Sequence, residues 1–213
     1  MLYFIHSYLL DLFLPQNCLG CGRPRERLCV RCLNELPPQN VEEKGVLSIF
    51  DYQTPLIKKA IWRLKYNKER PIALRLGQEL GQRTRGRLPW PKRGRVLAIP
   101  IPLGRQRLAE RGFNHAALIA KAFADSALDR FEFADQILVK IRDTPTQVSI
   151  KNRSARLANL AGAFAVRNPA LVAGQTVILI DDVTTTGATL AEAKQTLKRA
   201  GAKQVIALAL ARG

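Results

Sequence analysis

Asp181 and Asp182 stand side by side, preceded by Val177-Ile178-Leu179-Ile180 and followed by Val183-Thr184-Thr185-Thr186-Gly187-Ala188-Thr189. Adjacent carboxylates can accept hydrogen bonds from a vicinal diol such as that of ribose. They can also hold Mg²⁺, directly or through its waters. A hydroxyl-rich turn with a glycine, opening into a helix, offers hydroxyls and backbone N–H groups to a phosphate, backed by the positive end of the helix dipole. Asp and Thr are ordinary helix caps, and a cap explains one of each. It explains poorly two acids, four threonines and a glycine within nine positions. The chemistry these residues suit is the binding of a phosphorylated sugar.

A second constellation uses all four cysteines, as Cys18-x2-Cys21-x7-Cys29-x2-Cys32. Two facing knuckles give four thiolates in a tetrahedron, which is a closed structural zinc site. Gly20 and Gly22 give the knuckle backbone freedom to turn. Arg23, Arg25, Arg27 and Arg31 favour thiolate over thiol. Two disulfides or a redox pair are the alternatives, and disulfides fit poorly with a cytoplasmic chain.

The elements that must position these groups follow from periodicity. Val46 to Tyr52 reads as a strand. Pro55 to Lys65 reads as a helix capped by Thr54, with Pro55 at its first position and Ile57, Ala60, Ile61 and Leu64 on one face. Further helices are expected over Ile72 to Arg83, Phe113 to Ser126 and Leu190 to Ala200, where Gly201 stops the last. Strands are expected over Arg95 to Ile101, Gln136 to Ile141, Thr176 to Ile180 and Gln204 to Ala209. The alternation predicts an α/β fold, a mostly parallel sheet flanked by helices. Ligands of such sheets bind at the carboxyl ends of the strands, where Asp181 and Asp182 fall.

The chain has 213 residues, 47% of them hydrophobic, enough for one good core and against disorder. Residues 1–45 read as an N-terminal helix and a small four-cysteine zinc-binding module, and residues 46–213 as the α/β domain. Met1 to Leu14 is apolar but lacks a basic start and a small-residue cleavage site, and is too short to span a bilayer. It reads as a short helix packed on the body of a cytoplasmic protein. The formal net charge is +17, with Arg outnumbering Lys, which suits polyanions and phosphorylated ligands. Arg83, Arg85, Arg87, Lys92, Arg93 and Arg95 form a basic run with Trp90 among them. Cations around an aromatic platform suit single-stranded nucleic acid, while a solvated loop is the plainer reading of the same run.

The segment Val177 to Thr189 resembles the PRPP-binding motif of type I phosphoribosyltransferases. Ile99-Pro100-Ile101-Pro102, Arg111-Gly112-Phe113-Asn114-His115, Lys65-Tyr66, Arg142 with Gln147, Arg156-x-x-Asn159-x-x-Gly162-Ala163-Phe164 and the four-cysteine knot resemble the ComF family. The match departs at His115, where family members usually carry Gln. The resemblance implies that Asp181 and Asp182 bind the ribose hydroxyls of PRPP, with Mg²⁺, and that Thr185, Thr186, Gly187, Ala188 and Thr189 hold its 5-phosphate. It implies that the segment from Pro100 to Arg105 approaches the pyrophosphate, with Arg105, Arg107 or Arg111 as charge partners, in a fixed turn that could contain a cis bond. Asp181, Asp182 and Arg111 would then be the catalytic residues. Arg142 to Arg156, with Asn159 beyond it, would be the mobile loop that closes over the site. The chemistry would be displacement of pyrophosphate at the anomeric carbon, with no covalent protein nucleophile. His115, the one histidine near the proposed site, reads as a positioning group or a helix-start residue rather than a general base. The resemblance also implies single-stranded DNA and helicase-type competence proteins as partners in DNA uptake. A non-catalytic nucleic-acid-binding factor and a nucleobase salvage enzyme remain as alternatives.

Overall fold

The computed structural model describes residues 16–37, 39, 41–43, 45–88, 94–126, 130–142 and 160–213. The expected helix over Met1 to Leu14 lies outside them. So do Trp90, Lys92, Arg93, Gln147, Arg156 and Asn159.

In chain order the elements are α1 (Val30–Asn34), β1 (Val41–Glu43), β2 (Val46–Asp51), α2 (Pro55–Tyr66), α3 (Arg70–Thr84), β3 (Val96–Pro100), α4 (Arg105–Arg111), α5 (His115–Asp125), β4 (Phe131–Phe133), β5 (Leu138–Lys140), β6 (Phe164–Val166), β7 (Thr176–Thr184), α6 (Ala188–Arg199) and β8 (Gln204–Arg212). The main sheet runs β1-β2-β8-β7-β3-β4, and only the β1–β2 pair is antiparallel.

The central strands are buried on both faces, as their unbroken apolar runs require. Alternation sends Ile178 and Ile180 to the face covered by α2, α3 and α5, and Val177 and Leu179 to the face covered by α6. Helices α3 and α5 pack closely because Gly77 has no side chain. A Cβ there would run into the Ile119 carbonyl and Ala122.

Four expectations shift. Strand β7 continues through Asp181 and Asp182 to Thr184, because β8 runs on to Arg212 and supplies ladder partners, Asp181 facing Ala209. Helix α5 starts at His115, not Phe113, because Asn114 caps it by accepting from the Ala116 amide at 3.1 Å. Thr54 precedes α2 as expected but makes no side-chain cap bond. The strand expected over Gln136 to Ile141 shrinks to β5, which leaves the main sheet and pairs antiparallel with β6.

The cysteine knot is fastened to the sheet domain. Leu28 and Leu33 are buried in the same cluster as Phe50, Ile57 and Leu76. Arg27 pairs with Glu69 at 3.2 Å, and Lys59 donates to the Leu19 carbonyl at 3.4 Å. No described helix is long and apolar enough to cross a membrane.

Candidate functional site

Strand β7 carries Asp181 and Asp182 to the carboxyl end of the sheet. There they meet a cleft of about 550 Å³ walled by α2, α4 and the start of α5. That is an ordinary size for a small-ligand site. Asp182 shares the face of Ile178 and Ile180, so it meets Lys65 at the end of α2, Oδ2 to Nζ 2.9 Å. Asp181 Oδ1 accepts from the Asp182 amide at 2.9 Å.

The two acids titrate apart. Burial, then the charge of Asp182, pushes Asp181 up to about 7, against the pull of Lys65, the Asp182 amide and Arg111. Burial also opposes ionisation of Asp182, but Lys65 beside it, then His115 and Arg111, hold that carboxyl below its ordinary value.

A pH dependence follows. Unfolded Asp181 loses its proton near 3.8 and folded Asp181 near 7. Between those values the folded chain binds more protons, so this group's contribution to stability is lost as pH rises through the window. Asp181→Asn should therefore melt progressively higher than the wild type as pH rises from about 4 to 8 in ligand-free protein. A melting-temperature difference that stays flat across that range contradicts the assignment.

His115 is buried at the head of α5, with Arg111 Nη1 at 3.3 Å from its Nδ1. Among the described residues no atom is in hydrogen-bonding position to its Nε2, although the Lys65 backbone lies near enough to favour the protonated ring. Burial, helped by Arg111 and Lys65 and opposed by Asp182, lowers the imidazole to about 4. It is neutral at physiological pH and a weak base. Phe113 packs on it, ring centroids 4.8 Å apart.

The loop after β7 is held from two sides. Thr186 Oγ1 accepts from the Ala188 amide at 3.4 Å, and Arg212 Nη1 donates to the Thr185 carbonyl at 3.2 Å. Gly187 has φ +78, the left-handed conformation that favours glycine, and it turns the chain into α6. Thr189 lines the cleft, whereas Thr185, Thr186, Gly187 and Ala188 lie just beyond its lining.

The other expected site residues distribute unevenly. Arg107 and Arg111 line the cleft, with Lys65 and Lys68. Arg105 lines a neighbouring cleft with Asp135 and Arg167. Pro100 is buried at the end of β3, paired with Ile180, and the cleft is lined instead by Pro102. No cis peptide bond occurs among the described residues. Arg142 donates to the Ala161 carbonyl at 2.7 Å. In the basic run, Arg83 is turned inward. It pairs with Glu79, donates to the Leu33 carbonyl and stacks on Phe50. Arg85 and Arg87 are exposed, and exposed Arg95 stands 3.8 Å from Glu132.

Lys65 is the site residue that helix periodicity did not mark, since it reads as the solvent side of α2. Only its place beside Tyr66 in the family resemblance singled it out.

The four cysteine sulfurs lie within 4.8 Å of one another, with Cys18 to Cys32 at 3.8 Å and Cys21 to Cys29 at 3.7 Å. Thiolates about 2.3 Å from a central ion at tetrahedral angles stand near these separations. A disulfide needs about 2.05 Å, so the knot is a set of free thiols that could hold a metal. Amides of Cys29 and Cys32 point at sulfurs of Cys18 and Cys29, both at 3.4 Å. Gly20 is required here, because a Cβ would stand 2.7 Å from the Cys32 sulfur.

A mostly parallel sheet with paired acids and a hydroxyl loop at its carboxyl end defines a phosphoribosyltransferase-type domain. Residues 109–213 match the family model described as a phosphoribosyl transferase domain. The chain is 34% identical over 197 residues to the DNA utilization protein YhgH of Salmonella typhi, covering 90% of this chain and 80% of that one. It is 30% identical over 190 residues to the competence protein ComFC of Bacillus subtilis, covering 86% and 72%. Against ComFC of Streptococcus pneumoniae the identity is 36% over 114 residues, covering 54% and 47%. The chain belongs to the ComF family of the type I phosphoribosyltransferase superfamily.

Proposed function

We propose that the protein binds PRPP with Mg²⁺ in the cleft at Asp181 and Asp182, binds single-stranded DNA on its basic surface, and acts in DNA uptake. The observation that carries the first part is the pairing of two carboxylates with one ammonium at the mouth of a phosphate-type loop. Lys65 neutralises Asp182, while burial and the charge of Asp182 give Asp181 a raised affinity for a proton. A carboxylate pair short of one positive charge suits a divalent cation or a diol.

In this reading Asp181 and Asp182 hold the ribose hydroxyls, and the amides and hydroxyls of residues 185–189 surround the 5-phosphate. Bound Mg²⁺ would help neutralise the leaving pyrophosphate. Arg107 and Arg111 line the same cleft and add positive charge to it. Displacement breaks the bond from the anomeric carbon to pyrophosphate and forms one to a base nitrogen. Buried neutral His115 holds Arg111 in place. Pyrophosphate release from PRPP, Mg²⁺ and candidate bases distinguishes turnover from binding alone, and Asp181→Asn with Asp182→Asn should weaken either one by roughly a hundredfold or more.

Zinc is the metal we assign to the knot, with Cys18, Cys21, Cys29 and Cys32 as its ligands, in an N-terminal module that we take as residues 1–45, ahead of a domain of residues 46–213. Its role is structural.

The DNA reading is supported by the +17 charge and by relatives named for competence and DNA utilization. Among the described residues Arg85, Arg87 and Arg95 are the cations we assign to phosphate contact, and Arg83 is not among them. Affinity for an oligothymidylate should fall linearly in log–log form with salt, with a slope of about −0.7 for each phosphate neutralised. Replacing Arg85 and Arg87 by Gln should make the slope shallower by roughly 1 to 1.5. A salt-independent affinity contradicts phosphate-driven binding.

A further inference from the structure

Trp62 and Tyr66 sit one turn apart on α2 at the lip of the cleft, with ring centroids 5.6 Å apart and planes tilted by 43°. They are 51% and 61% exposed, although the face of α2 bearing Ile57, Ala60, Ile61 and Leu64 is fully buried. A helix seated so firmly has no packing need for two large rings on its outer side. Cations bracket them. Lys58 lies one turn before Trp62 and is exposed, and Lys68 follows Tyr66 and lines the cleft. Arg111 stands over Tyr66 from the cleft side, 5.9 Å from the ring centroid.

We propose that Trp62 and Tyr66 form a stacking ledge for bases of single-stranded nucleic acid, which delivers the strand to the mouth of the sugar-phosphate cleft. Flat ring faces with cations spaced along them hold single strands without reading sequence. The rings are at the lip and not on the cleft floor, and Lys58 lies outside the cleft lining, where backbone phosphates could use it and a free base could not. The basic run at Arg85 and Arg87 follows the far end of α3, a helix about 22 Å long at 1.5 Å per residue, and neither arginine lines the cleft. The ledge is therefore a contact separate from that run. The inference rests on the single-strand reading above.

The test uses full-length protein carrying Trp90→Phe, so that Trp62 is its one tryptophan, titrated with oligothymidylate at fixed salt. Binding should quench Trp62 fluorescence. Trp62→Leu with Tyr66→Leu should weaken oligothymidylate binding by roughly tenfold or more. The salt slope and the melting temperature should stay unchanged, because the rings are exposed and carry no charge. If the wild-type protein fails to bind oligothymidylate at all, the single-strand reading is lost and the ledge with it. If it binds, but without quenching and with equal affinity in the double variant, the ledge alone is overturned. Quenching by free adenine with none from oligothymidylate overturns it too, making the rings a seat for an acceptor base.

Discussion

Replacing Asp181 and Asp182 together by Asn lowers affinity for PRPP by roughly a hundredfold or more. Hydrogen bonds to charged groups contribute about 1.5–3 kcal/mol each. Two lost carboxylate acceptors correspond to at least that factor, at about 1.4 kcal/mol per tenfold. The same change strands a cation. The Lys65 side chain is 16% exposed and pairs with Asp182, itself 11% exposed. Removing one partner of a buried pair costs about 3–5 kcal/mol, offset in part here by relief of the repulsion between the two acids. The melting temperature should therefore fall as well. Adding Lys65→Met separates the two effects: stability should return and PRPP binding should not. Calorimetric titration and thermal melting of the three proteins check this. Retained PRPP binding in the double Asn variant contradicts the site.

Metal removal has the other large effect. Binding of a structural zinc is worth about 10–16 kcal/mol in small zinc-organised folds, as much as the whole stability of a typical domain. Without it the buried sulfurs lose their common partner, and desolvation, with hydrogen bonds from the other cysteines, pushes Cys32 up to about 12. The knot should unfold. Because Leu28 and Leu33 belong to the main core cluster, the damage should pass into the packing under α2 and α3. A strong chelator, or Cys29→Ser, should lower the melting temperature, and the chelator should expose four titratable thiols. Protein that contains no zinc and melts unchanged with chelator contradicts the assignment. Helix α2 links the two regions. Leu56 in its first turn packs on the cysteines, and Lys65 near its end pairs with Asp182.

The two constellations that carry the chemistry were legible because each is contiguous or nearly so in sequence. The cysteine spacing and the stretch from Val177 to Thr189 need no tertiary information. The central strands were legible for the same reason, as apolar runs bounded by Pro or Gly. What could not be read is what the fold brings together. Lys65 lies 117 positions from Asp182, and no local pattern marks it. Helix α4 was missed because it buries none of its residues, so Arg105 to Arg111 carries no amphipathic signal. The edge strands β1 and β4, three residues each, are too short to show alternation. Arg83 read as part of a basic run suited to single-stranded nucleic acid or to a solvated loop, yet its guanidinium serves Glu79, Leu33 and Phe50. Charge counting cannot see such internal partners.

The central claim is that Asp181, Asp182 and the loop of residues 185–189 form a PRPP site. Crystals of the full chain soaked with PRPP and Mg²⁺ test it most directly. The ribose diol should lie on the two carboxylates, with the 5-phosphate against the amides that open α6. PRPP seated elsewhere, or a cleft left empty at saturating PRPP and Mg²⁺, would contradict it.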